Sequence, residues 1–155
     1  MKRSLRNLVL VAILLALAWV SLPSLVPIDV ERERVDERFG RCGQGRSHAC
    51  VVDGDSIRIG QRRIRILGID APELRDAKCP SELALAEQAT AELQRTLNEG
   101  PFDLVRDVRE NKDDYGRDLR RLVRTLPSGE EVSIGDELVR QGLAAPYLGR
   151  KGDWC

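Results

Sequence analysis

The chain has 155 residues, of which 42% are hydrophobic but only 4% aromatic, with 25 basic and 25 acidic side chains. That length holds one domain with a mainly aliphatic core. Lys2, Arg3 and Arg6 lie in the first six residues, and the remainder carries 22 basic against 25 acidic residues, a net of −3. This excludes an overall basic field that steers a polyanion from a distance, so any nucleic acid must be held by local arginines.

At the N-terminus, MKRSLRN is a positive n-region and LVLVAILLALAWV an apolar h-region, with Ala16-Leu17-Ala18 matching a small-x-small cleavage site. Residues 1–18 are therefore expected to be a signal peptide or a membrane anchor. The anchor reading extends to about Ile28 and has Pro23 and Pro27 against it. Either reading exports the folded part, which is then periplasmic, secreted or membrane-anchored and facing outside the cytoplasm. Residues 19–47 form the lead-in; its DVERERVDERFGRCGQGRS portion mixes charge with glycine and has no apolar period, which reads as a linker.

The folded domain is expected over residues 48–155. ACVV, SIRIG and RRIRILGI show β-branched alternation, with turn signals at Asp53-Gly54 and Gly60-Gln61. A bend at DAPE precedes a helix over Ser81 to Asn98, with Leu83, Ala86, Leu93 and Leu97 at helical spacing and Gly100-Pro101 as its stop. FDLVRDVR and RDLRRLVRTL read as strands. Ser133-Ile134-Gly135-Asp136 has the form of a capping box and starts a short helix that ends at Gly142. Three strands, a long helix, two strands and a short helix suggest an α+β, mainly β fold: a five-stranded, partly open OB-type barrel with one long helix and a short C-terminal helix.

In an oxidising compartment Cys42, Cys50, Cys79 and Cys155 are expected to form two disulfides. Three connectivities are possible, with Cys42–Cys50 and Cys79–Cys155 favoured. A four-cysteine zinc site is the alternative, weakened by the lack of a closely spaced pair. The single histidine, His48, lies upstream of every motif and argues against a histidine base or a nucleophile–histidine pair.

Four pieces are weak separately: Asp53-Gly54-Asp55, Arg65, Asp70-Ala71-Pro72-Glu73 and Tyr115-Gly116-Arg117. Taken as a set, VVDGDSIRI, IRILGIDAPE, DYGRDLRRLV and ELVRQGLAAPY resemble the staphylococcal nuclease-like (thermonuclease) family, from Ala49 to Tyr147. The resemblance implies an OB-like barrel that hydrolyses DNA or RNA phosphodiesters with Ca2+. It further implies that Asp55, Asp70 and the Ala71 carbonyl ligate calcium, that Arg65 and Arg117 hold phosphate, and that Glu73 positions or deprotonates water. Tyr115 and Tyr147 would lie along the bound nucleotide.

The residue types suit those roles. Calcium takes oxygen ligands and leaves room for water and phosphate. Arginine keeps its charge and forks onto phosphate. With no histidine available, a carboxylate must act as base.

Some positions depart from the family pattern. Ala71 stands in place of threonine and Asp114 in place of lysine, and the loop LRDAKCP is short. Trp154 and a disulfide through Cys155 are expected to replace the packing of a longer C-terminal helix. Arg117 alone of Arg117, Arg120, Arg121 and Arg124 is assigned to the site; Leu119, Leu122, Val123, Leu138, Val139 and Leu143 are read as core.

The leading expectation is an exported calcium-dependent nuclease whose partner is DNA or RNA, with possible membrane anchoring through the N-terminal segment and no protein partner. A non-catalytic nucleic-acid-binding or peptide-binding module of the same fold ranks second. A small envelope protein in which DGD and DAPE are mere turns ranks third. Retention of all five charged positions, Asp55, Arg65, Asp70, Glu73 and Arg117, favours the first over the second.

Overall fold

Short β-branched runs separated by tight turns build most of the molecule, whose computed structural model describes residues 31–106 and 111–155. The expected signal or anchor over residues 1–18 lies outside the described residues. Strands β3 (Ala49–Asp53), β4 (Ser56–Ile59) and β5 (Arg62–Ile66) form an antiparallel meander. Their alternation is that of a half-buried sheet, with Ile57, Ile64 and Ile66 inside and Arg58 and Arg63 outside.

β5 continues in parallel onto β8 (Asp118–Thr125), which pairs antiparallel with β7 (Phe102–Arg106) and β9 (Glu131–Ser133). Two further strands come from the stretch expected to be a linker: β1 (Arg32–Val35) pairs with β7, and β2 (Phe39–Arg41) runs parallel to β3. The result is an eight-stranded curled sheet in the order β1-β7-β8-β5-β4-β3-β2, with β9 on β8. A separate ribbon pairs β6 (Ile69–Asp70) with β10 (Ala145–Pro146).

The OB-type architecture therefore stands, while the expected count of five strands is corrected. The cause is visible in the lead-in, where Val35 and Phe39, 5% and 2% exposed, insert between charged neighbours into the core. Phe39 is also held through its main chain, its N–H bonded to Asn98 Oδ1 (2.8 Å) and its carbonyl accepting from Asn98 Nδ2 (3.0 Å).

Helix α1 (Pro80–Leu97) lays Ala86, Ala89, Leu93 and Leu97 onto β2 and β3, and Arg124 closes its far end by donating to Thr96 O (2.7 Å) and Gly100 O (2.9 Å). Leu83, expected on that buried face, is 44% exposed, whereas Glu82 beside it is 2% exposed. Helix α2 (Ile134–Arg140) starts as the capping box requires, with Ser133 Oγ accepting from Asp136 N–H at 3.2 Å. Ile134 and Leu138 join Leu104 and Leu122 in the core, with Val139 and Leu143 packed on its edge. No helix among the described residues is long and apolar enough to cross a membrane.

Candidate active site

The tight turn between β3 and β4 sets the first wall of the site. A register shift between Val51 and Asp53 re-aims it, as bulges do. Gly54 is required for space: a Cβ there would lie 2.7 Å from the Cβ of both Ala71 and Ala89. The turn thus sits directly on the DAPE segment and on α1.

Asp55 is welded to both neighbours. Its carbonyl accepts from Ile66 N–H (2.8 Å), its Oδ1 from Ser56 Oγ (2.9 Å) and its Oδ2 from Ala71 N–H (2.9 Å). Asp70, at the end of β6, accepts Gly152 N–H at 2.8 Å through Oδ2. Between the two carboxylates lies Arg65, with Nη1 in ion contact with Asp55 and Nη2 3.4 Å from Asp70 Oδ1. Nη1 is wholly buried, and that ion contact is not aligned as a hydrogen bond. Burial, then the nearby charge of Arg117, push the Arg65 guanidinium below its ordinary value. Fifteen residues separate Asp55 from Asp70 in sequence, yet one guanidinium spans them.

The second wall is the loop before β8. Asp113 Oδ1 accepts the N–H groups of Tyr115 (3.0 Å) and Arg117 (2.8 Å), and its Oδ2 accepts Arg117 Nε (2.6 Å). Gly116 completes the turn with a φ of +73°, a conformation costly for other residues. Burial works against the Asp113 carboxylate, but the hydrogen bonds from Arg117 and Tyr115 outweigh it and hold it below the usual range. The Arg117 guanidinium lies 5.6 Å from the centre of the Tyr115 ring, with Nη1 3.4 Å from Ser56 Oγ.

A cleft of about 380 Å³ opens between these walls and gathers Asp55, Arg65, Glu73, Tyr115, Arg117 and Tyr147. Asp70 and Ala71 instead line a smaller adjoining cavity of about 150 Å³, which shares Glu73 and Lys151 with the main cleft. Tyr115 and Tyr147 are 75% and 46% exposed and stand at the open surface. Arg120 is tied to Asn111 and Arg124 to the end of α1, so neither is offered to the cleft. Leu119, read from sequence as core, lines the cleft. The cysteines pair as Cys42–Cys50 and Cys79–Cys155.

Several contributors escaped the sequence reading as site residues. Asp53 lines the cleft, its carboxyl pushed up by burial against the opposing pull of Ser56, Arg65 and Arg117. Asp113 had no signal beyond its nearness to Tyr115-Gly116-Arg117. Glu82 binds Glu73 N–H (3.3 Å) and Lys78 N–H (2.6 Å), a clamp hinted at only by an acid three residues after the Cys79 cap. Lys151 pairs with Glu73 Oε1, which holds its ammonium above the ordinary value.

The charged side chains lining the cleft are five acids (Asp53, Asp55, Glu73, Asp113, Asp114) and three bases (Arg65, Arg117, Lys151), a net of −2. Carboxylate oxygens are hard donors suited to calcium. Each carboxylate offers about four lone-pair sites; Asp55 uses three and Asp70 two, leaving about three for a cation. The donor set therefore fits calcium.

A family model described as staphylococcal nuclease homologue matches residues 63–152, more than half of the chain. The match takes in Arg65, Asp70, Glu73, Tyr115, Arg117, Tyr147 and Lys151, while Asp55 lies before it. No curated protein matches the chain significantly.

Proposed function

The chain belongs to the staphylococcal nuclease homologue family, and from that premise we propose that it is an exported, calcium-dependent nuclease hydrolysing phosphodiester bonds of DNA or RNA. The observation that carries this reading is the convergence of Asp55, Arg65 and Asp70 beside a cleft that also holds Glu73 and Arg117. Export is supported by the N-terminal apolar run and by two disulfides, which persist in oxidising compartments.

Asp55, Asp70 and the Ala71 carbonyl would hold the calcium, which when bound supplies Lewis acidity and positive charge at the phosphate. Arg117 is aimed by Asp113, which takes its Nε, while Nη1 makes only a long 3.4 Å contact with Ser56 Oγ, so the Nη edge still has N–H groups to offer phosphate oxygens. Arg65 adds a second cation on the opposite wall. As water attacks phosphorus in line and the P–O bond opposite it breaks, negative charge grows on the nonbridging and departing oxygens. Fixed guanidinium groups stabilise it without reorganising, and the departing oxygen takes a proton from solvent to leave as a hydroxyl. Glu73 accepts the proton of that water. Its carboxylate is reachable, 35% exposed, while its main chain is fixed by Glu82. Tyr115 and Tyr147 flank the opening, where nucleotide rings would stack.

The test follows cleavage of denatured DNA by oxidised protein in calcium, after chelation, and in Glu73→Gln and Arg117→Ala. Loss of a general base typically costs about 10²–10⁴ in rate, and loss of a charge-stabilising donor about 10²–10³. Chelation should abolish cleavage. A folded wild type that cleaves nothing in calcium, across pH and salt, sinks the nuclease reading in favour of the non-catalytic binding module.

A further inference from the structure

The last five residues reach back across the molecule into the site. Lys151 pairs with Glu73 although 78 residues separate them. An exposed lysine–glutamate pair is ordinarily worth little, because two long side chains must be ordered to make it. Here the ordering is imposed by two attachments to the rest of the molecule and one contact within the segment. Gly152 N–H is bonded to Asp70 Oδ2 at 2.8 Å. Trp154 folds over Gly152, whose absent Cβ would lie 3.0–3.2 Å from the indole. Cys155 is joined covalently to Cys79, the N-cap of α1. Glu82, in the first turn of the same helix, holds Glu73 N–H. One helix end thus fixes Glu73 through its backbone on one side and, through the disulfide and Lys151, its carboxylate on the other.

We propose that the disulfide-pinned segment Lys151–Cys155 is part of the active site, and that Lys151 is a positioning residue that holds the Glu73 carboxylate in place over the cleft. This rests on the nuclease reading given above. The carboxylate, 35% exposed, is otherwise able to sample several rotamers, and a general base must be held within hydrogen-bond reach of the water it deprotonates. The Lys151 ammonium has three donors and gives one to Glu73 Oε1, selecting one rotamer and leaving the carboxylate's other lone pairs for the water. The Cys79–Cys155 bond acts by delivering Lys151, so its contribution to rate and that of Lys151 are one contribution.

The experiment compares kcat and KM on denatured DNA, in saturating calcium and well below the melting temperature. The proteins are wild type, Lys151→Ala, Lys151→Arg, Cys79→Ser/Cys155→Ser and the triple variant combining Lys151→Ala with both serines. Lys151→Ala is expected to lower kcat by about tenfold to a hundredfold, the range for a group displaced by about 1 Å. KM and melting temperature should change little, and Lys151→Arg should recover most of the rate. The disulfide-free protein should lose a similar factor, and the triple variant no more than either parent.

Amide exchange at Gly152 gives a readout independent of activity: slow in wild type and Lys151→Ala, fast without the disulfide. Three results overturn the proposal: kcat of Lys151→Ala within twofold of wild type, no recovery by arginine, or losses that multiply in the triple variant. An inactive wild type overturns the nuclease reading itself, a distinct outcome from an active wild type that ignores Lys151.

Discussion

Replacing Gly54 with alanine tests how closely the Asp53-Gly54-Asp55 turn is pressed onto the site. The added methyl would sit 2.7 Å from two other Cβ atoms, those of Ala71 and Ala89, well inside contact distance. Neither neighbour is the far end of a flexible side chain. Ala89 belongs to α1, anchored at one end by Cys79–Cys155 and at the other by Asn98 on Phe39; Ala71 is tied to Asp55 through its N–H.

Overpacking of this kind costs about 1–3 kcal/mol, offset by about 0.4–1 kcal/mol from the less flexible unfolded chain. The difference runs from about zero to about 2.6 kcal/mol with a midpoint of about 1.3 kcal/mol, or about 5 °C in melting temperature at about 4 °C per kcal/mol for a domain of this size. Because relief requires the turn to move off Ala71, the Asp55–Ala71 bond should lengthen and cleavage should fall together with stability. Thermal unfolding by circular dichroism of oxidised protein in chelator checks this, with Gly100→Ala as control. Nothing lies within 4 Å of a Cβ at Gly100, and that variant should be neutral or slightly stabilised. A Gly54→Ala protein that melts at or above the wild-type temperature would refute the close-approach argument.

Two further outcomes follow from the site's electrostatics. Arg65→Ala should cost about 3–5 kcal/mol in chelator by leaving two buried carboxylates unpaired, their side chains 10% and 3% exposed. Calcium at a hundredfold the variant's own dissociation constant should raise the unfolding free energy of Arg65→Ala by about 2.7 kcal/mol over chelator in denaturant melts, and an Arg65→Ala protein whose unfolding ignores calcium would show that the metal does not draw on those carboxylates. Asp113 is held below the usual carboxylate range in the folded protein, so its contribution is present above the ordinary value and lost as pH falls through the folded one. The melting temperature of wild type should therefore fall in acid relative to Asp113→Asn, and parallel pH profiles for the two proteins would contradict that assignment.

What the sequence disclosed and what it withheld divide along physical lines. The meander β3–β5, helix α1 and the Ser133 cap were legible because period, capping and turn residues all act within a few positions. The strands at Arg32–Val35 and Phe39–Arg41 were not. Only Val35 and Phe39 face the core there, and β1 finds its partner β7 some seventy residues away. Leu83 was placed on the buried face by spacing alone, yet it is 44% exposed; Glu82 is buried instead because loop N–H groups satisfy it. In the site, the matching motifs located Asp55, Arg65, Asp70, Glu73 and Arg117 as candidates. Gly54 was legible as a turn former, though the structure uses it for closeness to Ala71 and Ala89. Lys151 carried no motif, since its place depends on a disulfide and a main-chain bond to Asp70.

The cleft's charge explains why a protein with no basic surface field can still be read as acting on a polyanion. With five acids against three bases along its walls, the cleft carries a net negative charge as it stands, which opposes the approach of phosphate. Under the proposed function, a divalent cation between Asp55 and Asp70 would offset most of the local charge, the cleft's −2 and the further −1 of Asp70 in the adjoining cavity, and Arg65 and Arg117 would meet the phosphate's own charge. On this reading metal and substrate are thermodynamically linked, each raising the affinity for the other. The same arithmetic discriminates between phosphates. An internal phosphodiester brings one negative charge, whereas a terminal phosphomonoester brings nearly two to a wall that carries Asp114 beside Tyr115. On that proposal, the residues that would make the cleft dependent on a metal would also favour the interior of a chain over its phosphorylated end.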